Sequence, residues 1–487
     1  MARSSASRRA SRRSAPSGRG GSPKGDHRVD LILDGGTVIT MDAARSVFTS
    51  GAVAIEGDRI VAVGPRDRVR RSFAAPRVMD TADAMVLPGL VCTHSHGFQV
   101  LYRGLGDDLE LFAWLRRMIY PLSALLGPTE TYAATLLCCM DLMKTGTTTF
   151  ADSFYIHVDP DAYAAACRAA TDSGIRAVMG RASLDQGEAP SRFKERPRIA
   201  LMRTEEALRS APWKAGARVR GSIEALNTHS TSPRLLRDLK ELARDQGATF
   251  HMHAAETSRE ADEIRRRTGK GVFEFLDELG VIDERSLFYH AVWTLPHEIE
   301  LLRKRGASVS HNPISNSVGS GVAPIPAMVG RGLNVALGVD GAASNNGQDM
   351  LETMKFAALI HPAVGSGILS SERIVEMATI DGARALGLEE EIGSLEVGKK
   401  ADVTVIGRSG KPHLSPGLKP VSDVVFCANG SDVDTVIVDG QIVMRDRRFT
   451  ALDEAEAMRR VMEISRRMVR DAGRDELLRT PTFRYVG

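Results

Sequence analysis

The stretch Pro88-Gly89-Leu90-Val91-Cys92-Thr93-His94-Ser95-His96 decides how the rest of the chain is read. It is an apolar run that opens on a turn signal and closes on two histidines two positions apart. In a strand, positions i and i+2 project to the same face. Both imidazoles can therefore point into one opening and share a cation. Two histidines can equally be ordinary polar residues at a strand end, so the neighbouring sequence has to arbitrate. Downstream, seven more short apolar pieces alternate with longer helical stretches: TTTFADS (147–153), IRAVMGR (175–181), GSIEALNTH (221–229), ATFHMHAAE (248–256), SLFYHAV (286–292), ASVSHNP (307–313) and NVALGVD (334–340). Eight strands separated by helices predict a (β/α)8 TIM barrel over 89–390, with functional residues at the C-terminal strand ends. His94, His96, Asp152, Arg181, His229, His253, His290, His311 and Asp340 all fall at those ends. A doubly wound open sheet is the competing topology, but no glycine-rich phosphate fingerprint follows the first strand.

Flanking this middle, the segments VDLILDGGTVIT and GAVAIEGDRIVAVG carry DGG and EGD turn signals between alternating apolar runs, as hairpins require. KKADVTVIG and VDTVIVDGQIVM repeat that grammar near the other end. Residues 28–88 and 391–450 are therefore expected to build one small β-sandwich domain from both chain ends. An amphipathic helix from about Leu452 to Arg470, within the closing segment 451–487, is expected to pack outside the barrel.

The 487 residues carry a formal net charge of +3, but its placement matters more than its sign. Arg3, Arg8, Arg9, Arg12, Arg13, Arg19 and Lys24 precede the first acid, Asp26, and the remainder is slightly acidic. Nothing in that balance favours nucleic acid as a partner. The Ser/Arg/Gly/Pro-rich segment 1–27 is expected to be disordered. Its composition also resembles an organelle transit peptide, while a floppy extension is the plainer reading. No apolar run approaches the ~20 residues needed to span a bilayer, so no membrane partner is expected. Five cysteines without CxxC spacing suggest reduced, buried thiols in a cytoplasmic protein.

The chemistry follows from the donors. His253 closes the fifth predicted strand and Asp340 the eighth, beside the histidine pair. Three imidazoles and a carboxylate suit zinc first and ferrous iron second, better than calcium or magnesium. A cation so held brings the pKa of its water toward ~7. Hydrolysis of an amine then needs a proton acceptor and a donor, because the amine leaves only when protonated. Asp340 is expected to take the proton of the water, Glu256 to shuttle protons to the substrate, and His290 to polarise the substrate or orient the hydroxide. Glu256 can alternatively be a first-turn acid of the helix that follows. Trp114 can stack on a flat heterocycle or sit in the core, and Arg181 can clamp an acidic substrate tail or pair with a nearby acid. Arg192 reads as a solvated charge, Gln99 and Asp152 lie near the opening, and His157, His297 and His361 read as surface or loop histidines.

Five stretches together resemble the amidohydrolase superfamily, in its cytosine deaminase-like branch: PGLVCTHSHGFQVLYRGLGDDLELFAWL, HMHAAETSRE, YHAVWTLPHEIELL, SHNPISNSVGSGVAPIPAMVGRGLNVALGVDGAASNN and ATIDGARALGLEEEIGSLEVGKKADVTVI. With the flanking β segments the likeness runs from about Val29 to Met444. It implies one divalent metal on His94, His96, His253 and Asp340, assisted by Glu256 and His290. Other members place a metal-bridging lysine at the end of the fourth strand; Asn227-Thr228-His229 there implies a single metal. Within the branch the chain is similar to adenosylhomocysteine/methylthioadenosine deaminases, to triazine hydrolases such as atrazine chlorohydrolase, and to 8-oxoguanine deaminase. His229 and Trp114 match substrate-contacting positions of the nucleoside deaminases, whereas Ser123 stands where those carry a ribose-binding glutamate. The implied activity is hydrolytic deamination of a purine, pyrimidine, pterin or triazine by a homo-oligomer. Displacement of chloride or an alkylamine from an s-triazine is the runner-up, nucleoside deamination a further alternative, and a non-catalytic barrel scaffold the reading of a different class.

Overall fold

The computed structural model describes residues 27–107 and 109–479. The expected basic tail lies outside the described residues apart from His27, as do residues 480–487.

Eight barrel strands follow in chain order: β1 (Leu90–His96), β2 (Thr147–Phe154), β3 (Arg176–Ser183), β4 (Val219–Ala225), β5 (Phe250–Ala254), β6 (Ser286–His290), β7 (Ser308–His311) and β8 (Asn334–Leu337). Each pairs in parallel with the next. They are buried almost throughout, which is why they read as continuous apolar runs rather than alternating ones. The sheet returns on itself through a break in its last strand. β8 stops at Leu337, and the chain resumes pairing at Asp340–Gly341, now beside β1 through Ser95↔Asp340 and His96↔Gly341. That closure is consistent with a (β/α)8 barrel, and it puts Asp340 in register with the histidine pair.

The helices between strands have local start and stop signals. In Pro233–Gln246, the Ser232 side chain accepts from the Leu235 amide, and the helix ends at Gly247 with φ +61°. The expected outer helix runs Glu454–Asp471, buries Val461, Ile464 and Met468, and packs on the helix Pro128–Lys144. Its first turn is tied by Lys144 Nζ, 2.8 Å from Glu454. Among the described residues, no helix is long and apolar enough to cross a membrane.

The chain ends form two mixed sheets, the larger drawing on both ends and the smaller on the N-terminal end alone. A seven-stranded sheet places Val403–Gly407 antiparallel to Ala84–Pro88, and a four-stranded sheet contains Leu31–Asp34, Gly51–Glu56, Arg59–Pro65 and Arg77–Asp80. Leu31, Val53 and Ile55 from the second share one apolar cluster with Val86, Val403 and Ile437 from the first. The EGD signal does make a hairpin, Gly51–Glu56 with Arg59–Pro65. The DGG signal does not. Leu31–Asp34 pairs with Gly51–Glu56, while Thr37–Ile39 crosses to the other sheet beside Ala84–Pro88. Gly35 (φ +95°) and Gly36 serve that crossing: a β-carbon on Gly36 would lie 2.8 Å from the Thr81 carbonyl oxygen.

Candidate active site

Strand ends bring the candidate ligands together. His94 and His96 leave β1 on one face, and each Nε2 is 3.4 Å from Asp340 Oδ1. The nitrogen donors of His94, His96 and His253 lie within 4.8 Å of one another, as do the ligand atoms of His94, His290 and Asp340. Backbone carbonyls orient two of the rings. His96 Nδ1–H donates to Ser153 O at 2.7 Å and His253 Nδ1–H to Leu226 O at 3.0 Å. A carbonyl only accepts, so each Nδ1 carries the proton and each Nε2 presents its lone pair. His94 stacks on Tyr289, with centroids 3.8 Å apart, and neither of its buried nitrogens has a hydrogen-bond partner among the described residues. Burial lowers His94 to about 3 and holds His96 and His253 below the usual imidazole range, so all three stay neutral. Burial opposes the charge on Asp340, but His94, His290 and His96 outweigh it and keep its carboxyl well below the ordinary value. A buried carboxylate facing neutral, unpartnered imidazole nitrogens is a donor set that fits a divalent cation.

The two proton-handling candidates sit beside this set. His290 Nδ1 is 2.7 Å from Asn316 Oδ1, and its Nε2 is 4.0 Å from Glu256. Burial works against a charged His290, yet Glu256 and Asp340 prevail and raise it above the usual value. Burial also raises Glu256, toward the form that can give up a proton. Ala255, His290 and Asp340 have φ of +51°, +72° and +65°, so β5, β6 and the broken eighth strand all turn left-handed at the site.

A cavity of about 320 Å3 lies beside these groups, its wall including Leu111, Phe112, Trp114 and Tyr120 as well as His229, Glu256 and Glu263. The Amidohydrolase family model matches residues 85–443. The chain belongs to the amidohydrolase family. A 5-methylthioadenosine/S-adenosylhomocysteine deaminase of Syntrophobacter fumaroxidans is 38% identical over 91% of this amidohydrolase and 99% of its own length. A 5'-deoxyadenosine deaminase of Methanosarcina mazei is 37% identical, again over 91% and 99%. The structure of an adenosine deaminase from Xanthomonas campestris with bound zinc is 28% identical with a TM-score of 0.85, over 91% of this chain and 99% of that one.

The other expected contacts in the amidohydrolase divide. Trp114 lines the cavity and donates from Nε1 to Ala343 O at 3.2 Å. Gln99 lines it too, donating to the Tyr155 hydroxyl at 3.2 Å. His229 faces it from a loop, because β4 stops at Ala225 rather than continuing to residue 229. Arg181 is a correction. Its guanidinium is buried in a two-bond pair with Glu195, at 2.8 and 2.9 Å, and it does not line the cavity. Its alternative as a partner of a nearby acid is what the packing selects. Ser123 and exposed Arg192 are likewise not on the cavity wall, and Ser123 shares a hydrogen bond with the Tyr102 hydroxyl. His157 and His361 are buried, not superficial.

Sequence reading missed Asn316, Glu224 and Glu263. Asn316 falls one helical turn past Asn312, a spacing that could have drawn notice. Glu224 is wholly buried inside the barrel with its carboxyl pushed well up by desolvation, bonded to the Ser153 hydroxyl. Nothing in its neighbours along the chain marks it.

Proposed function

We propose that this amidohydrolase hydrolytically removes the exocyclic amino group of an adenosine-type nucleoside, releasing ammonia. The convergence of His96, His253, Asp340, Glu256 and His290 on one cavity, with buried His94 against Asp340 behind them, carries the reading. Relatives that deaminate adenosine derivatives support the substrate class. So does the size of the cavity, at the lower end of the ~300–1,000 Å3 typical of small-molecule sites.

His94, His96, His253 and Asp340 would hold one divalent cation, zinc ahead of iron. Such a cation supplies Lewis acidity and makes a water acidic enough to deliver hydroxide near neutral pH. The chain's own residues handle the protons. Asp340 accepts one from the attacking water. Glu256, its acid form favoured by burial, gives one to a ring nitrogen beside the attacked carbon, which makes that carbon electrophilic. His290, oriented by Asn316, bonds the developing oxygen. The carbon–nitrogen bond then breaks as the amine takes the proton held by Asp340 and leaves as ammonia, while the new hydroxyl returns its proton to Glu256. Trp114 covers one face of the heterocycle and Gln99 lies beside it. On this reading the two mixed sheets form a small β-sandwich bracing the barrel, and five free thiols suit a reducing cytoplasm.

The test is to load the protein with zinc or ferrous iron and offer 5'-substituted adenosines, free aminopurines, aminopterins and chlorotriazines, reading ammonia and chloride together. Ammonia from the nucleosides, abolished by chelation and restored by metal, is the expected result. Chloride without ammonia would transfer the site to the triazine reading. Release of neither from any aminated heterocycle would remove the deaminase assignment.

A further inference from the structure

One hydrogen-bonded pair on the cavity wall has no part in the proton scheme. His229 Nδ1 lies 2.9 Å from a carboxylate oxygen of Glu263, on the helix Ser258–Thr268. With the carboxylate oxygen accepting, Nδ1 carries the proton and Nε2 is the free side of the ring. That Nε2 is buried without a partner among the described residues, on a side chain that lines the cavity. The second oxygen of Glu263 is 3.4 Å from Arg267, one turn along the same helix. The helix thus braces the carboxylate, and the carboxylate orients the loop-borne imidazole. Of the buried cavity-wall acceptors without a partner among the described residues, Gln99 Oε1 is another, but its amide donates to the Tyr155 hydroxyl and no carboxylate orients it. Ser123 is off the cavity wall and bonded to Tyr102, and Glu188 is paired with Arg259 at 2.6 Å.

We infer that Glu263 is a positioning residue for substrate recognition, fixing the tautomer of His229 so that Nε2 accepts a hydrogen bond from a sugar hydroxyl of the bound nucleoside. The substrate half of this inference rests on the nucleoside reading above; the tautomer half does not. Glu263 bonds only His229 and Arg267 among the described residues, so its loss acts on binding rather than on the chemical step.

Two variants test it, Glu263→Ala and Glu263→Gln, each metal-loaded. On an adenosine-type nucleoside, Glu263→Ala should raise KM about tenfold with kcat within about twofold, the effect of one lost hydrogen bond. Glu263→Gln, whose amide oxygen still accepts from Nδ1, should stay within about threefold of the parent. On the 2'-deoxy or 3'-deoxy nucleoside that lacks the recognised hydroxyl, Glu263→Ala should add no further penalty. Equal penalties on hydroxylated and both deoxy substrates, a fall in kcat at constant KM, or a Gln variant as impaired as the Ala variant would each overturn the proposal. Nitrogen-15 imidazole shifts of His229 decide the positioning role without substrate. The parent and Glu263→Gln should show the Nδ1–H tautomer and Glu263→Ala a mixture. An unchanged tautomer in Glu263→Ala refutes it. If the parent deaminated free bases only, the nucleoside reading and the sugar contact would fall, while the shifts would still judge Glu263.

Discussion

His290 and Asp340 face the cavity from left-handed backbone, at φ +72° and +65°. For residues with a β-carbon that conformation costs on the order of 1 kcal/mol or more each, and it persists where the surroundings over-determine it. The candidate ligands were legible because their spacing follows strand geometry: His94 and His96 share a face, and His253 and Asp340 close apolar runs. The turns that aim them were not legible, since no glycine marks those positions. Arg181 was misplaced for a related reason: its partner Glu195 lies 14 residues on, in a loop beyond the strand, where no periodicity ties the two together. Buried histidines also set a pH limit. Burial lowers His361 from 6.5 to about 4, and His311, whose ring is 5.2 Å away, shifts in the same direction. Below pH 6.5 the unfolded chain binds the His361 proton before the folded one does, so stability falls as pH drops toward 4. Replacing His361 with Gln should flatten that limb, measured as urea midpoints at pH 7 and pH 5. An equal drop in both proteins would assign the loss elsewhere.

Apolar pattern located each barrel strand, because eight buried parallel strands leave eight dense runs. It could not show that the eighth is broken after Leu337, or that the strands around the DGG turn separate into different sheets. Turn residues report a change of direction, not which neighbour the strand then meets. Long-range ion pairs are hidden for the same reason. Arg176, at the start of β3, donates to Asp402 Oδ2 at 2.8 Å and Oδ1 at 3.1 Å, and also to Asp439, so it staples the barrel to the strands Val403–Gly407 and Val433–Val438. The Arg176 side chain is only 2% exposed and that of Asp402 3%. Removing the guanidinium leaves the buried Asp402 carboxylate without a cation, a change that typically costs about 3–5 kcal/mol. Arg176→Met should therefore lower the denaturant midpoint markedly. The double variant Arg176→Met/Asp402→Leu should recover part of the loss. A single variant as stable as the parent would contradict the staple.

For the whole molecule, the alternation of strands and helices and the two β-rich ends were visible in the pattern, and the family model spans 85–443 across barrel and C-terminal strands alike. The shape of the cavity was not, because residues far apart in sequence build it: loop-borne His229 meets Glu263 of the helix Ser258–Thr268 only in the fold. Since the proposed ligands come from β1, β5 and the last barrel strand, a cation that binds only the folded chain should stabilise it by mass action. The expected gain is about 4 kcal/mol at a thousandfold excess over Kd. Thermal melts with and without zinc measure it, and coincident melts would argue against metal at this seam. The pairing of Ala84–Pro88 with Val403–Gly407 has a different kind of consequence. During translation, the earlier strand must wait for the ribosome to deliver some three hundred further residues before its neighbour exists. Until then its open edge is available to any passing nascent chain, and a chaperone's first task here would be to shield it.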